Sequence, residues 1–313
     1  MYKKEKNRNR IYMTKVHLLG AVLVIGLLSG SGREYRGVDS PHGREYRGTD
    51  SPQSMGESGM QSVEQDAIQG TVTMAGSTSM ESMANALAEG FMSRYPQATV
   101  TAEFTGSSAG IEAVLAGRVD IGNSSRRLHP AEQAAGGVEQ VVAIDGIVMV
   151  TDAGNRVKGL TKEQLCGIYQ GTIRNWQDVG GFDEPVVVIG REAGSGTREA
   201  FEDFLGMEDR CVYANEVSST GAVMARVSST PGAIGYVSWE VLNDTVSVLS
   251  LDGIMPTEET IRDGRYGLSR PYVMVTRGSL EKQNEAVREF FRYLYSKEGK
   301  ALLNRAGVIV SDG

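Results

Sequence analysis

From Gly70 onward, short runs with every second residue apolar alternate with longer runs in which apolar residues return every three or four positions. The run "TVTMAG" predicts a strand, and "STSMESMANALAEGFMSRY" behind it predicts a helix with Met80, Met83, Leu87 and Phe91 on one face. The pattern repeats: "ATVTAEFTG" reads as a strand, "SSAGIEAVLAGR" as a helix, and "VDIGNSSR" as a short strand with a polar end. "VEQVVAIDGIVMVT" predicts a long apolar strand. "TKEQLCGIYQG" predicts a helix capped by Thr161 and closed by Gly171, and "PVVVIG" another strand. "AVREFFRYLYSKEGKALLNRAG" supplies a long C-terminal helical region. Strands alternating with helices predict α/β lobes of the parallel type.

The junctions between these elements share a composition. "GREAGSGTREAF", Gly190 to Phe201, places glycines, Ser195 and Thr197 directly before a helix, with Arg191 upstream. "GSTS" from Gly76, "GSSAG" from Gly106 and "SSTGAV" from Ser218 repeat the design. One such turn is an ordinary helix cap. Free backbone N–H groups and the helix dipole also make it an anion cradle. In an open α/β sheet ligands bind beyond the carboxyl ends of the strands, where helix N-termini point. Four turns of this kind therefore predict one small oxyanion site.

Charge narrows the field. Six of the 32 Lys/Arg and one of the 39 Asp/Glu lie in residues 1–31, so the remainder carries a net −12 and no basic run. Such a body has no electrostatic reason to bind nucleic acid. The basic start, the apolar run "HLLGAVLVIGLL" and the small residues after it predict an export signal over 1–31. "LSGS" resembles a lipoprotein cleavage box, with Ser31 where the acylated cysteine would stand, so the mature chain is expected outside the membrane, free or associated with it. Residues 32–69 hold the duplicated "GREYRG(V/T)DSP" and few aliphatics, which predicts a flexible tether. Cys166 and Cys211 are the only cysteines; a disulfide is permitted outside the cell, but a buried thiol is the plainer expectation for Cys166.

Enzyme signatures are weak. There is no G-x-x-x-x-G-K-[ST] phosphate loop, and "AGSGT" is not a G-x-S-x-G nucleophile elbow. Of the three histidines, His17 falls in the expected export signal, His42 in the tether and His129 before Pro130, which offers the serine a poor choice of base and leaves too few ligands for a Cys/His metal site. A phosphate-ester hydrolase built on Asp120 or Asp145 stays open as the rival reading.

Taken in order, "GSTSM", "FTGSSAGI", "DIGNSSR", "AIDGIVMV", "LTKEQLCGIYQGTIRNW", "GREAGSGTREAF" and "PGAIGYVS" resemble the phosphate-binding protein of bacterial phosphate ABC transporters, in its shorter branch. The resemblance implies an α/β, two-lobed type II periplasmic-binding-protein-like fold with the ligand cleft between lobes. It implies residues 70–151 plus 241–313 as lobe 1 and 152–240 as lobe 2. It implies a non-catalytic receptor, monomeric and without cofactor or metal, that binds inorganic phosphate and delivers it to permease subunits; sulfate or another tetrahedral oxyanion is the close alternative. By motif position Thr78, Ser79 and Ser107 would meet the anion from one lobe. Arg191, as a bidentate fork, and Ser195, Gly196 and Thr197 would meet it from the other. The family's aspartate after the "DxG" strand is Ser125 here, so the acceptor for the ligand's proton is open, with Asp145 a candidate substitute or else a hinge carboxylate. Arg198 and Glu199 are expected in a surface or interlobe ion pair, and Asp120 as a brace for its own loop.

Overall fold

In chain order, β1 (Gly70–Gly76) leads into a 3-10 turn (Thr78–Met80) and α1 (Glu81–Arg94) in this computed structural model, which describes residues 68–310. The expected export signal and the tether up to residue 67 lie outside the described residues. Then come β2 (Ala98–Phe104), α2 (Ser107–Leu115), β3 (Ile121–Ser124), α3 (Pro130–Ala134) and β4 (Gly137–Asp152). Next are β5 (Gly159–Leu160), α4 (Lys162–Tyr169), β6 (Val187–Arg191), α5 (Gly196–Leu205), β7 (Asn215–Val217), α6 (Thr220–Ser229) and β8 (Ala233–Ser238). The chain closes with β9 (Val246–Val248), β10 (Ser250–Leu251), α7 (Glu258–Arg262), β11 (Ser269–Arg277), α8 (Glu285–Tyr295), α9 (Lys297–Arg305) and β12 (Ile309–Val310). All of this lies within one contiguous unit, Glu57–Gly313.

Two βαβαβ units with the same strand order build the fold. In the first, β1 lies parallel between β2 and β3, and β11 joins β3 antiparallel. In the second, β6 lies parallel between β7 and β8, and β4 joins β8 antiparallel. β4 serves both: Gly137–Gly146 pairs with β11, while Ile147–Thr151 pairs with β8. A strand of this length is needed to cross from one half to the other.

The periodicity places the cores. Met80, just before α1, and Met83, Leu87 and Phe91 of α1 are all buried in one cluster with Val287, Phe290, Phe291 and Leu294 of α8, over β1 and β11. Ile68, expected in the tether, already packs on this cluster. A second cluster joins Leu165, Ile168 and Tyr169 of α4 to Phe201 and Leu205 of α5. Thr161 caps α4 as expected, its Oγ1 accepting Gln164 N–H at 3.2 Å, and Gly171 adopts φ +72° just beyond the helix. Two differences from the sequence expectation have local causes. The C-terminal helical region is two helices, because Ser296 takes ψ 162° and caps α9 through Gly299 N–H at 3.1 Å. Residues 246–268, which the family resemblance groups with the first lobe, pack with elements of the second half: β9 pairs with the end of β4, β10 with β5, and Ile261, Tyr266 and Leu268 join the second cluster.

Where β4 crosses, Asp145 is buried and ion-paired with Arg270 at 2.8 Å. It also accepts Ser238 O–H at 2.7 Å and Trp239 N–H at 3.1 Å. Burial pushes the Asp145 carboxyl up, and Arg270 and these donors pull it back. Removing one partner of a buried pair strands the other charge, at about 3–5 kcal/mol. Asp145→Asn is therefore expected to lower the urea midpoint markedly with little change in slope, read by equilibrium unfolding.

Candidate functional site

Each βαβαβ unit contributes the turns after its first two strands, and all four turns face one crevice. Gly76 ends β1 at φ +145°, where an added Cβ would lie 2.0 Å from Asn123 O. Only glycine lets the chain turn there. Ser77 N–H then donates to Asn123 O at 2.9 Å, which directs Ser77, Thr78 and Ser79 inward, all buried. Gly106 (φ +102°) does the same between β2 and α2 and presents Ser107. In the second unit, β6 ends at Arg191 and Ser195 caps α5, its Oγ accepting Arg198 N–H at 3.3 Å. Ser219 caps α6 through Ala222 N–H at 3.1 Å, leaving Thr220 at the first helical position.

The units meet through these turns. Thr78 Oγ1 accepts Thr220 N–H at 3.2 Å and lies 3.3 Å from Thr220 Oγ1. Arg191, 1% exposed, donates from Nη1 to Thr220 Oγ1 at 3.1 Å. Ser107 Oγ accepts Ser125 N–H at 3.1 Å and lies 3.2 Å from Ser125 Oγ. Ser77 Oγ donates to Ser125 Oγ at 2.9 Å and is 2.9 Å from Ser79 Oγ. Opposite these, a Cβ on Gly196 would stand 2.4 Å from Ser107 Oγ, 2.9 Å from Ser107 Cβ and 2.9 Å from Ser125 Oγ. The Thr197 hydroxyl beside it is buried without a protein partner. Such a group costs about 1–3 kcal/mol unless something bonds it.

The expected residues Thr78, Ser79, Ser107, Ser125, Arg191, Ser195, Gly196 and Thr197 thus fall at or beside one crevice. Asp145 does not, because its oxygens are engaged by Arg270, Ser238 and Trp239. Arg191 also departs from expectation. Its Nε and Nη2 edge faces Glu192 at 3.0 and 2.7 Å, not an open fork. Its Nη1 remains on the Thr220 side. Ser77, Thr220 and Glu192 were not expected from the sequence; Thr220 stands inside one of the four recognised turns, and an acid next to Arg191 was the available signal for Glu192. Arg198 pairs with Glu202 at 2.8 Å and Glu216 at 2.9 Å, and Nη1 donates to Arg191 O at 2.9 Å, so it braces the turn from behind. Asp120 accepts Thr73 N–H at 2.8 Å and braces β1. Cys166 and Cys211 are free thiols, both half-buried. Among the described residues no helix is long and apolar enough to cross a membrane.

Two α/β halves sharing a crossing strand, with four helix starts around a buried guanidinium, define an anion-binding protein of the type II periplasmic-binding class. The chain matches the PBP superfamily domain over residues 61–298. It is 31% identical over 251 residues to the phosphate-binding protein PstS of Bacillus subtilis, covering 78% of this chain and 82% of that protein. A structure from Clostridium perfringens, described as a phosphate ABC transporter substrate-binding protein with bound phosphate, superposes with TM-score 0.75 at 35% identity, covering 78% of this chain and all of that one. An ABC-type phosphate transport receptor from Vibrio cholerae gives TM-score 0.66 at 33% identity, covering 77% of this chain and all of that one. The chain belongs to the PstS phosphate-binding-protein family of the periplasmic-binding-protein superfamily.

Proposed function

We propose that the chain is an exported, non-catalytic receptor that captures inorganic phosphate between its two halves and delivers it to the permease subunits of an ABC importer. One observation carries the reading: helix starts from both βαβαβ units meet around buried Arg191, with the Thr197 hydroxyl buried and unpartnered among them. Donors fixed before the ligand arrives suit a small, strongly hydrated oxyanion, because they replace its water without reorganising. The lobes are drawn as residues 70–146 with 269–310 and residues 147–268, following the pairing of β4 and the core clusters. Thr78, Ser79, Ser107 and Ser125 then face Arg191, Ser195, Gly196 and Thr197 across the cleft, with Ser77 and Thr220 added. The receptor acts as a monomer outside the membrane.

The two carboxylates on which a hydrolase reading would rest, Asp120 and Asp145, are both engaged by structural partners. The closer competitor is sulfate. Ser125 and Ser107 hydroxyls can accept the proton of hydrogen phosphate as well as donate, whereas sulfate has no proton to offer. Calorimetric titration of stripped protein is expected to give one-to-one phosphate binding at least about tenfold tighter than sulfate, a difference of about 1.4 kcal/mol. Tighter sulfate binding would falsify the ligand assignment.

A further inference from the structure

The strongest unassigned cluster lies at the rim of the crevice, outside the anion cradle. Arg126 follows Ser125, and its side chain is only 6% exposed. Within its own half it is fully held: Nη1 and Nη2 each donate to Glu132 at 2.8 Å, and Nη1 also donates to Arg127 O at 2.9 Å. Its Nε, facing the other half, lies 2.8 Å from Glu199 Oε2 as an ion pair not aligned for a hydrogen bond. The second oxygen of Glu199 meets His129 Nε2 at 2.6 Å. Glu199 stands on the first turn of α5, while Arg126 and His129 flank the start of α3. A single carboxylate from the second half is thus gripped by two groups of the first. A groove of about 770 Å³ runs beside it, lined in part by Arg127, Ala193, Arg198 and Arg270.

We infer that Glu199, Arg126 and His129 form a clasp that holds the two halves together and sets how long the ligand stays, without touching the ligand. The inference rests on the phosphate-receptor reading above. The asymmetry of the pairing supports it. Burial works against the charge on Glu132, yet Arg126 and the His129 N–H hold that carboxyl below its ordinary range, so the Arg126–Glu132 pair is self-sufficient. Loss of Glu199 leaves Arg126 paired and the first half intact, and removes only the link between halves. A contact made after the halves meet acts on dissociation and not on encounter. Glu199 is a positioning residue in this scheme.

Stopped-flow kinetics of phosphate binding to the full exported chain test it. Glu199→Gln is expected to raise the off-rate about tenfold, leave the on-rate within about twofold, and keep the thermal midpoint of the parent. His129→Asn should do the same to a smaller extent, and Glu112→Gln, which removes an exposed ion pair inside the first half, should do neither. An off-rate equal to the parent's in Glu199→Gln, or a loss carried by the on-rate or by the thermal midpoint, overturns the clasp. A parent that binds no phosphate overturns the receptor reading beneath it instead.

Discussion

Arg191→Ala is expected to weaken phosphate binding at least about a hundredfold while the protein stays folded. The guanidinium is buried and bonds into the cradle through Nη1 to Thr220. A charged hydrogen bond contributes roughly 1.5–3 kcal/mol, which alone spans about ten- to hundredfold. The substitution also frees Glu192, whose two oxygens are now neutralised by the Arg191 edge, to repel an incoming anion. Glu192→Gln in the Arg191→Ala background should therefore recover part of the loss. Arg198→Ala makes the opposite contrast. It leaves buried Glu202 without its cation, held only by Asp209 N–H and Tyr213 O–H, so its cost of about 1–3 kcal/mol should appear in unfolding, and phosphate affinity should fall less than about tenfold. Titration calorimetry beside urea unfolding separates the two. Equal affinity for all variants and parent would reduce the Gly190–Phe201 segment to a plain helix cap.

Gly196→Ala is the second large effect, and it acts by shape alone. The added methyl would meet Ser107 Oγ at 2.4 Å and Ser107 Cβ at 2.9 Å across the crevice. Ser107 is fully buried, so the clash is relieved by parting the halves. Parting pulls the donors of one unit off a ligand held by the other, and a loss of about a hundredfold follows if two hydrogen bonds of roughly 1.5 kcal/mol each are forfeited. Stability should hold, since alanine is the better helix former at that position. Gly110→Ala gives the converse. Its methyl would lie 2.4 Å from Ala75 O inside one half, where no opening relieves it, so that variant should unfold earlier. Ligand affinity and thermal midpoint of the two variants, measured together, check this; Gly196→Ala binding like the parent would mean that the halves do not close on the ligand.

What the sequence shows and hides follows from the range of each interaction. The four turns were legible because glycine, serine and threonine answer a local demand: a left-handed or crowded backbone and unpaired N–H groups at a helix start. The helix faces were legible because burial repeats every three or four residues. Thr220 meets Thr78 from 142 positions away, and Arg270 meets Asp145 from 125, and no local pattern marks either partner. Asp145 in an apolar strand did announce a committed carboxylate, but not whose partner it was. The double service of β4 was hidden too, since one apolar run reads alike whether one half or two flank it. That is why the pairing of residues 246–248 with the end of β4 could not be read from the run itself. Glu192 was overlooked because an exposed acid beside an arginine is common and becomes informative only when the arginine is buried.

The most direct test of the account is a crystal structure of the exported chain grown with phosphate. A single anion is expected between the halves, within hydrogen-bond distance of Arg191 Nη1, the Thr197 hydroxyl and the Ser107 turn, with Glu192 and Asp145 still on Arg191 and Arg270. An anion seated elsewhere, such as in the rim groove by Arg127 and Arg270, with the four turns bonded only to each other, would contradict it.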